Sequence, residues 1–101
     1  MTALTGDSVT LYLARERREA AACVVAIDED DDCGIYAVAT RPPSRRRGLA
    51  SALMRRALTD ARRRGCRTSS LQASQSGFGV YESLGYRDVC AIHVWEHQPA
   101  I

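Results

Sequence analysis

Lysine is missing from this chain altogether, and all fourteen basic residues are arginine. That excludes a phosphate loop of the G-x-x-x-x-G-K-[ST] type and any internal lysine as a site of self-modification. Together with fifteen alanines, it marks a GC-rich genome rather than a function. Histidine is scarce, with two residues, and the four cysteines (Cys23, Cys33, Cys66, Cys90) form no C-x-x-C pair. Neither a zinc site nor a disulfide framework is suggested, so no metal is expected. Cys23 and Cys90 lie in apolar runs and are expected as buried free thiols. No apolar run approaches the ~18–20 residues of a membrane span, and the first residues lack the basic-then-apolar order of a secretory signal. A cytoplasmic protein without membrane attachment is the expectation.

What is present suffices for one domain, residues 1–101, with an apolar share of 46% and a charged share of 26%. A chain of this length buries somewhat more than ~60% of its unfolded surface, so it can build a core without staples. Its net charge of +2 hides a strong asymmetry. Residues 1–40 carry −5, residues 41–67 carry +9 and residues 68–101 carry −2. The positive field belongs to the middle third, and an anionic partner is expected there.

"SVTLYLAR" alternates, with Val9, Leu11 and Leu13 on one side, as in a half-buried strand. "AAACVVAI" is a second apolar run, and "RERRE" between the two reads as a hairpin turn. "LARERREAAA" also has helix propensity. Its charges fall in one block rather than along one helical face, which favours strand–turn–strand. The acidic run Asp28–Asp32 reads as a solvated turn. "CGIYAVAT" is a clear strand, ended by Pro42 and Pro43, which cannot donate to a ladder. Leu49, Leu53, Ala57 and Ala61, flanked by Met54 and Leu58, mark one face of a helix, with Gly65 just past its end. "TSSLQAS" is a further strand, and Ser76 could cap a short helix "GFGVYESL" closed by Gly85. "VCAIHVWEH" reads as a last strand, with His93 structural. The predicted order is β-β-β-α-β-α-β: an α/β (α+β) fold with a mixed, mostly antiparallel sheet and one long crossover helix.

One stretch runs against simple electrostatics. "RPPSRRRGLASAL" places Arg45, Arg46 and Arg47 where a helix begins, at the end its dipole already makes positive. A bound polyphosphate would turn that repulsion into attraction. First-turn N–H groups point outward without intrahelical partners, and Gly48 lets the backbone approach a ligand closely. Arginine adds forked donors suited to phosphate oxygens. The competing reading is a basic patch that grips RNA or DNA. It is the weaker one, because residues 41–67 contain no interleaved aromatics. "GFGVYE" begins like a dinucleotide fingerprint but lacks the third glycine. Arg55, Arg56 and Arg62 to Arg64 read as surface charges.

"VATRPPSRRRGLASAL" resembles the acetyl-CoA loop of the GNAT superfamily of N-acetyltransferases, whose signature is [QR]-x-x-G-x-[GA] after a strand and a proline turn. Arg45, Gly48 and Ala50 fill its defined places. "LQASQSGFGVYESLGYRDV" resembles the second signature of that family, with Tyr81 in the Y-E-x-L-G-[FY] phrase. The resemblance spans about residues 8 to 97. It implies acetyl-CoA as cosubstrate and direct acetyl transfer to an amine. Backbone groups of Val38, Ala39 and Thr40 would then follow the pantetheine arm. N–H groups of Arg46, Arg47, Gly48, Leu49, Ala50 and Ser51 would cradle the pyrophosphate, with Arg45 beside them. Ser74 stands where many relatives have a cofactor-contacting Asn, and Tyr81 would return a proton to the CoA thiolate. A phenol, with its reference pKa of about 10, is suited to a thiolate whose conjugate acid lies near 8.5.

The pattern also departs from that family. Relatives begin with a strand and two helices that form much of the acceptor site, whereas this chain is expected to start at their second strand. "GIYAVAT" carries no carboxylate for a general base, which leaves Tyr36 or an ordered water. Three explanations fit: the C-terminal part of a larger acetyltransferase, a minimal enzyme completed by dimerisation, or an inactive CoA-binding or partner-binding module. An exposed sheet edge favours a homodimer, or a chain that supplies the missing part.

Overall fold

The computed structural model describes residues 1–99. Five strands form one sheet in the order β1-β2-β3-β4-β5: β1 (Thr2–Thr5), β2 (Val9–Glu16), β3 (Glu19–Glu29), β4 (Asp32–Thr40) and β5 (Thr68–Leu71). The first four are antiparallel, and β5 joins β4 in parallel after the crossover helix α1 (Leu49–Arg63). A short helix α2 (Phe78–Ser83) follows β5. The expected fold class holds, with two corrections at the ends. Residues 2–5, too short and polar to signal a strand, pair with Thr10–Leu13 of β2. The expected last strand is not formed, and residues 89–97 run exposed and unpaired.

"RERRE" is the expected hairpin turn. Arg17 and Arg18 both adopt left-handed backbone angles (φ 51° and 70°), the conformation of a tight primed turn that asparagine and glycine fill more cheaply. The acidic run is less idle than a solvated turn. Asp30 and Asp31 make the bend, but Asp28 accepts both Nε (2.6 Å) and a terminal nitrogen (2.9 Å) of Arg64. Asp32 accepts the hydroxyls of Thr68 and Ser70, each at 2.8 Å. The run therefore fastens β3 and β4 to the far end of α1 and to β5.

Helix α1 lies across one face of the sheet. Its stripe Leu53, Met54, Ala57 and Ala61 is buried against Tyr12, Ala14, Ala22, Val24, Ala26, Cys33 and Ile35. Truncating a fully buried residue such as Leu53 to alanine would cost about 2–5 kcal/mol. The helical face is the expected one, but β2 is turned over. Thr10, Tyr12 and Ala14 face the helix, while Leu11 and Leu13 line the opposite, half-buried face and Val9 is exposed. Both parities of β2 carry apolar residues, so alternation alone does not choose between them. Tyr12 decides the side, because its hydroxyl reaches across to Asp60 of α1 (2.8 Å).

The cysteines also sort differently from expectation. Cys33 is the buried thiol, and burial pushes its pKa up to about 11, so it stays protonated. Cys23 is half-buried and Cys90 is exposed.

Candidate active site

β4 and β5 share only four pairs, from Asp32↔Thr68 to Ile35↔Leu71. Beyond Ile35 the two strands part, and β4 continues alone to Thr40. Backbone groups of residues 36–40 that point toward β5 thus have no strand partner among the described residues. The wedge is a cleft of about 350 Å³ walled by Ile35–Ala39 on one side and by Leu71, Gln72, Ser74 and Tyr81 on the other.

A bulge shapes its floor. Val25 pairs with Ala37 and Ala26 with Ile35, so Tyr36 is an extra residue in β4. The Tyr36 ring lies over Gly34, where an added Cβ would come within 2.6 Å of it. Gly34 leaves room for the ring in this position, and a Cβ there would push the exposed Tyr36 side chain aside.

At the mouth of the cleft, a single 3₁₀ turn over Pro42–Ser44 reverses the chain toward α1. Arg46 (φ 66°) and Gly48 (φ 72°) both take the left-handed conformation, and Gly48 is the residue that opens the helix. No side chain caps this end and no acid lies in its first turn. The first intrahelical bond comes from Ala52 N–H to the Gly48 carbonyl (3.0 Å), which leaves the Leu49, Ala50 and Ser51 N–H groups pointing out.

Two arginines flanking this end are tied back to the β2–β3 hairpin, Arg41 to Glu19 and Arg47 to Glu16. Ser44, buried beneath the loop, and then Arg47 hold the Glu16 carboxyl below its usual range. Arg45 donates Nε to the Thr40 carbonyl (3.2 Å), and Arg46 makes no ion pair among the described residues. Positive charge is thus held over the open helix end by contacts that do not neutralise all of it.

Tyr81 enters the cleft from α2. Its ring packs edge-on to Tyr86, with centroids 6.1 Å apart, and Gly77 makes room for it (an added Cβ would lie 3.1 Å from the ring). Burial raises its pKa above the ordinary phenol value of 10.0, so the hydroxyl stays protonated at neutral pH. The α2 start differs from expectation. Ser76 caps nothing and instead shares a hydroxyl–hydroxyl bond (3.0 Å) with Ser74, while a 3₁₀ turn over Gln75–Gly77 leads into the helix.

Of the residues singled out from sequence, Val38, Ala39, Ser74 and Tyr81 line the cleft together. Thr40 continues β4 past it, and Arg45–Ser51 form the loop and helix start at its end. Ile35, Ala37, Leu71 and Gln72 went unrecognised, because nothing local marks where two strands diverge. His93 and the arginines on the exposed side of α1 take no part in this cleft.

The profile of the acetyltransferase (GNAT) family matches residues 3–86. No curated protein matches the chain in sequence. Among solved structures, a Trypanosoma brucei acetyltransferase is similar, with TM-score 0.81 at 18% identity over 89% of this chain and 70% of that one. The aminoglycoside N-acetyltransferase AAC(6')-Iy in complex with CoA gives 0.79 at 17% identity, over 92% and 78%. A "predicted acetyltransferase with acetyl-CoA" from Clostridium acetobutylicum gives 0.75 at 22%, over 87% and 64%. With a profile that spans most of its length and a sheet that parts beside an uncapped, arginine-flanked helix, this chain belongs to the GNAT family of acetyltransferases.

Proposed function

We propose that the chain binds acetyl-CoA in the wedge between β4 and β5 and passes the acetyl group directly to a primary amine. The observation that carries this reading is the open end of α1. A helix start with no cap, no acid and arginines on both sides is costly unless an anion completes it. A pyrophosphate fits there, on the N–H groups of residues 46–51, with Arg46 and the terminal nitrogens of Arg45 as further donors. From that point the cleft leads along Ala39 and Val38, and the backbone groups of this part of β4 that face away from β3 suit the amides of a pantetheine arm. Two structures of similar fold were solved with CoA or acetyl-CoA.

The thioester would then lie near Tyr81. The amine nitrogen attacks the carbonyl carbon, a C–N bond forms, and the C–S bond breaks as the tetrahedral adduct collapses. Tyr81 gives its phenolic proton to the departing thiolate and recovers one from solvent. The proton that the nitrogen sheds on becoming an amide leaves through the Tyr36 hydroxyl or a water, since no carboxylate or imidazole lines the cleft. Ser74, on the wall opposite β4, would contact the cofactor through its hydroxyl.

That absence of a strong base supports a second reading, a module that holds CoA without turnover. Both readings are compatible with a homodimer or with a chain that supplies further elements, because the sheet ends in open edges at β1 and β5. A thermal shift with acetyl-CoA, CoA and a short oligonucleotide, followed by thiol release with a panel of amines, separates the possibilities. The enzyme reading expects stabilisation by both CoA species and amine-dependent thiol release. Tyr81→Phe should lower kcat about 10²–10⁴-fold with the thermal shift retained. Stabilisation without release would favour the binding module. No shift with either CoA species would overturn both readings.

A further inference from the structure

The sheet has one covered face and one bare one. Helix α1 lies on the first, and Tyr81 of α2 packs toward that same core. The other parity of the strands, with Leu11 and Leu13 of β2 and Cys23, Val25 and Ile27 of β3, is nowhere fully buried. At its margins Leu4, Val9 and Tyr36 are 57%, 42% and 68% exposed. An antiparallel sheet that shows one face to water carries polar residues there. This face does the opposite. From the level of Leu13 to that of Ile27, no residue of β1–β4 on it is charged. Four strands about 4.8 Å apart and about six residues long span about 400 Å² in projection, a size at which apolar patches on monomers mark interaction sites.

No described segment of the chain covers this face. Residues 6–8 alone join β1 to β2, and each of the next two hairpins turns in a pair of residues, 17–18 and 30–31. Charge at the two ends of the face indicates what fits it. Beyond Leu13 the same parity continues to Arg15, and beyond Ile27 it continues to Glu29. Both are exposed, and neither is in an ion pair among the described residues. A second copy, turned about a two-fold axis that crosses the strands, lays its Glu29 over this Arg15 and its Arg15 over this Glu29. Between them an uncharged centre meets itself without repulsion, as a self-complementary contact requires.

We propose that two copies pack through these bare faces into a sandwich, with the sheets about 10 Å apart, the strands antiparallel, and Leu11 and Val25 near its centre. This gives a homodimer a definite surface and does not rest on acetyl-CoA binding. Ala37 and Ala39 belong both to the bare face, opposite Val25 and Cys23, and to the cleft wall, so the second copy stands beside the cleft.

Analytical ultracentrifugation over a dilution series tests this on the full chain, on Leu11→Glu, on Arg15→Glu, and on the exchange of Arg15→Glu with Glu29→Arg. Circular dichroism checks that each variant is folded. The proposal expects a dimer. Leu11→Glu sets a carboxylate in its apolar centre and should weaken it about 100-fold or more. Arg15→Glu creates a like-charge pair at each end and should weaken it about 10-fold, and the exchange should restore the parent affinity. If Leu11→Glu fails to fold, the variants at the exposed Arg15 and Glu29 decide alone. A monomer at micromolar concentration overturns the proposal and leaves the face to a different chain. A dimer indifferent to Leu11→Glu or to Arg15→Glu, or one that the exchange does not restore, overturns it as well. The acetyl-CoA thermal shift of Arg15→Glu tests the cofactor reading separately and is expected to persist.

Discussion

The two ends of α1 are built to opposite specifications. At the C-terminal end the carbonyls are closed off. Gly65 N–H bonds the Arg62 carbonyl (3.1 Å) and Cys66 N–H bonds Ala61 (2.9 Å), the paired bonds of a Schellman cap, with Gly65 at φ 98°. Arg62 and Arg63 sit where the dipole wants positive charge, and Arg64 is clamped to Asp28. At the N-terminal end the donors stand open and the nearby charge has the wrong sign for the helix. One end spends its residues on stability, whereas the other leaves its N–H groups open over the fifteen residues of one helix.

The sharpest test reverses the sign at the open end. Ala50→Glu puts a carboxylate in the first turn, where it should stabilise the helix by about 0.3–1 kcal/mol. If the site holds a pyrophosphate, acetyl-CoA affinity should fall about 100-fold or more by titration calorimetry, so that stability and binding move in opposite directions. At the closed end, Gly65→Ala forces a Cβ into left-handed backbone and should cost about 1–2 kcal/mol in urea unfolding, with cofactor affinity unchanged. Arg64→Gln releases the exposed clamp and should cost less, about 1 kcal/mol or below.

Arg64 also fixes a pH dependence. Hydrogen bonding from Arg64 holds the Asp28 carboxyl below its usual value, against a smaller opposing effect of burial. The pair's contribution is therefore present above the ordinary carboxylate range and is lost as pH falls through the lowered folded value. Arg64→Gln should flatten that acid limb in stability measured from pH 7 downward. The smallest effect belongs to neither end. Arg18→Gly relieves left-handed strain in the β2–β3 turn and should stabilise by a few tenths to about 1 kcal/mol.

The comparison also explains what could be read in advance. Both α1 ends were legible, because glycines, prolines and the arginine run act within a few residues of where they stand. Gly65 and Gly85 close their helices as their positions imply. Tyr81 and the loop were legible through two local phrases. The cleft itself was not, since it exists only where β4 outruns β5, and a length mismatch between strands thirty residues apart leaves no local mark. β2 was legible as a strand but not in its facing, which a single long-range hydroxyl contact selects. "VCAIHVWEH" carries the propensity of a strand but pairs with none of the described residues.

Alanine makes up five of the eleven buried residues of the helix–sheet seam: Ala14, Ala22 and Ala26 on the strands and Ala57 and Ala61 on the helix. Where these residues meet, the spacer has minimum thickness, so the height of the helix axis above the sheet is set there by methyl groups as well as by Tyr12, Leu53 and Met54. That height in turn fixes where the first-turn N–H groups stand relative to the end of β4. Enlarging Ala57 would lift the helix like a shim under a hinge, and the proposed anion cradle would lose its aim with every one of its own residues intact.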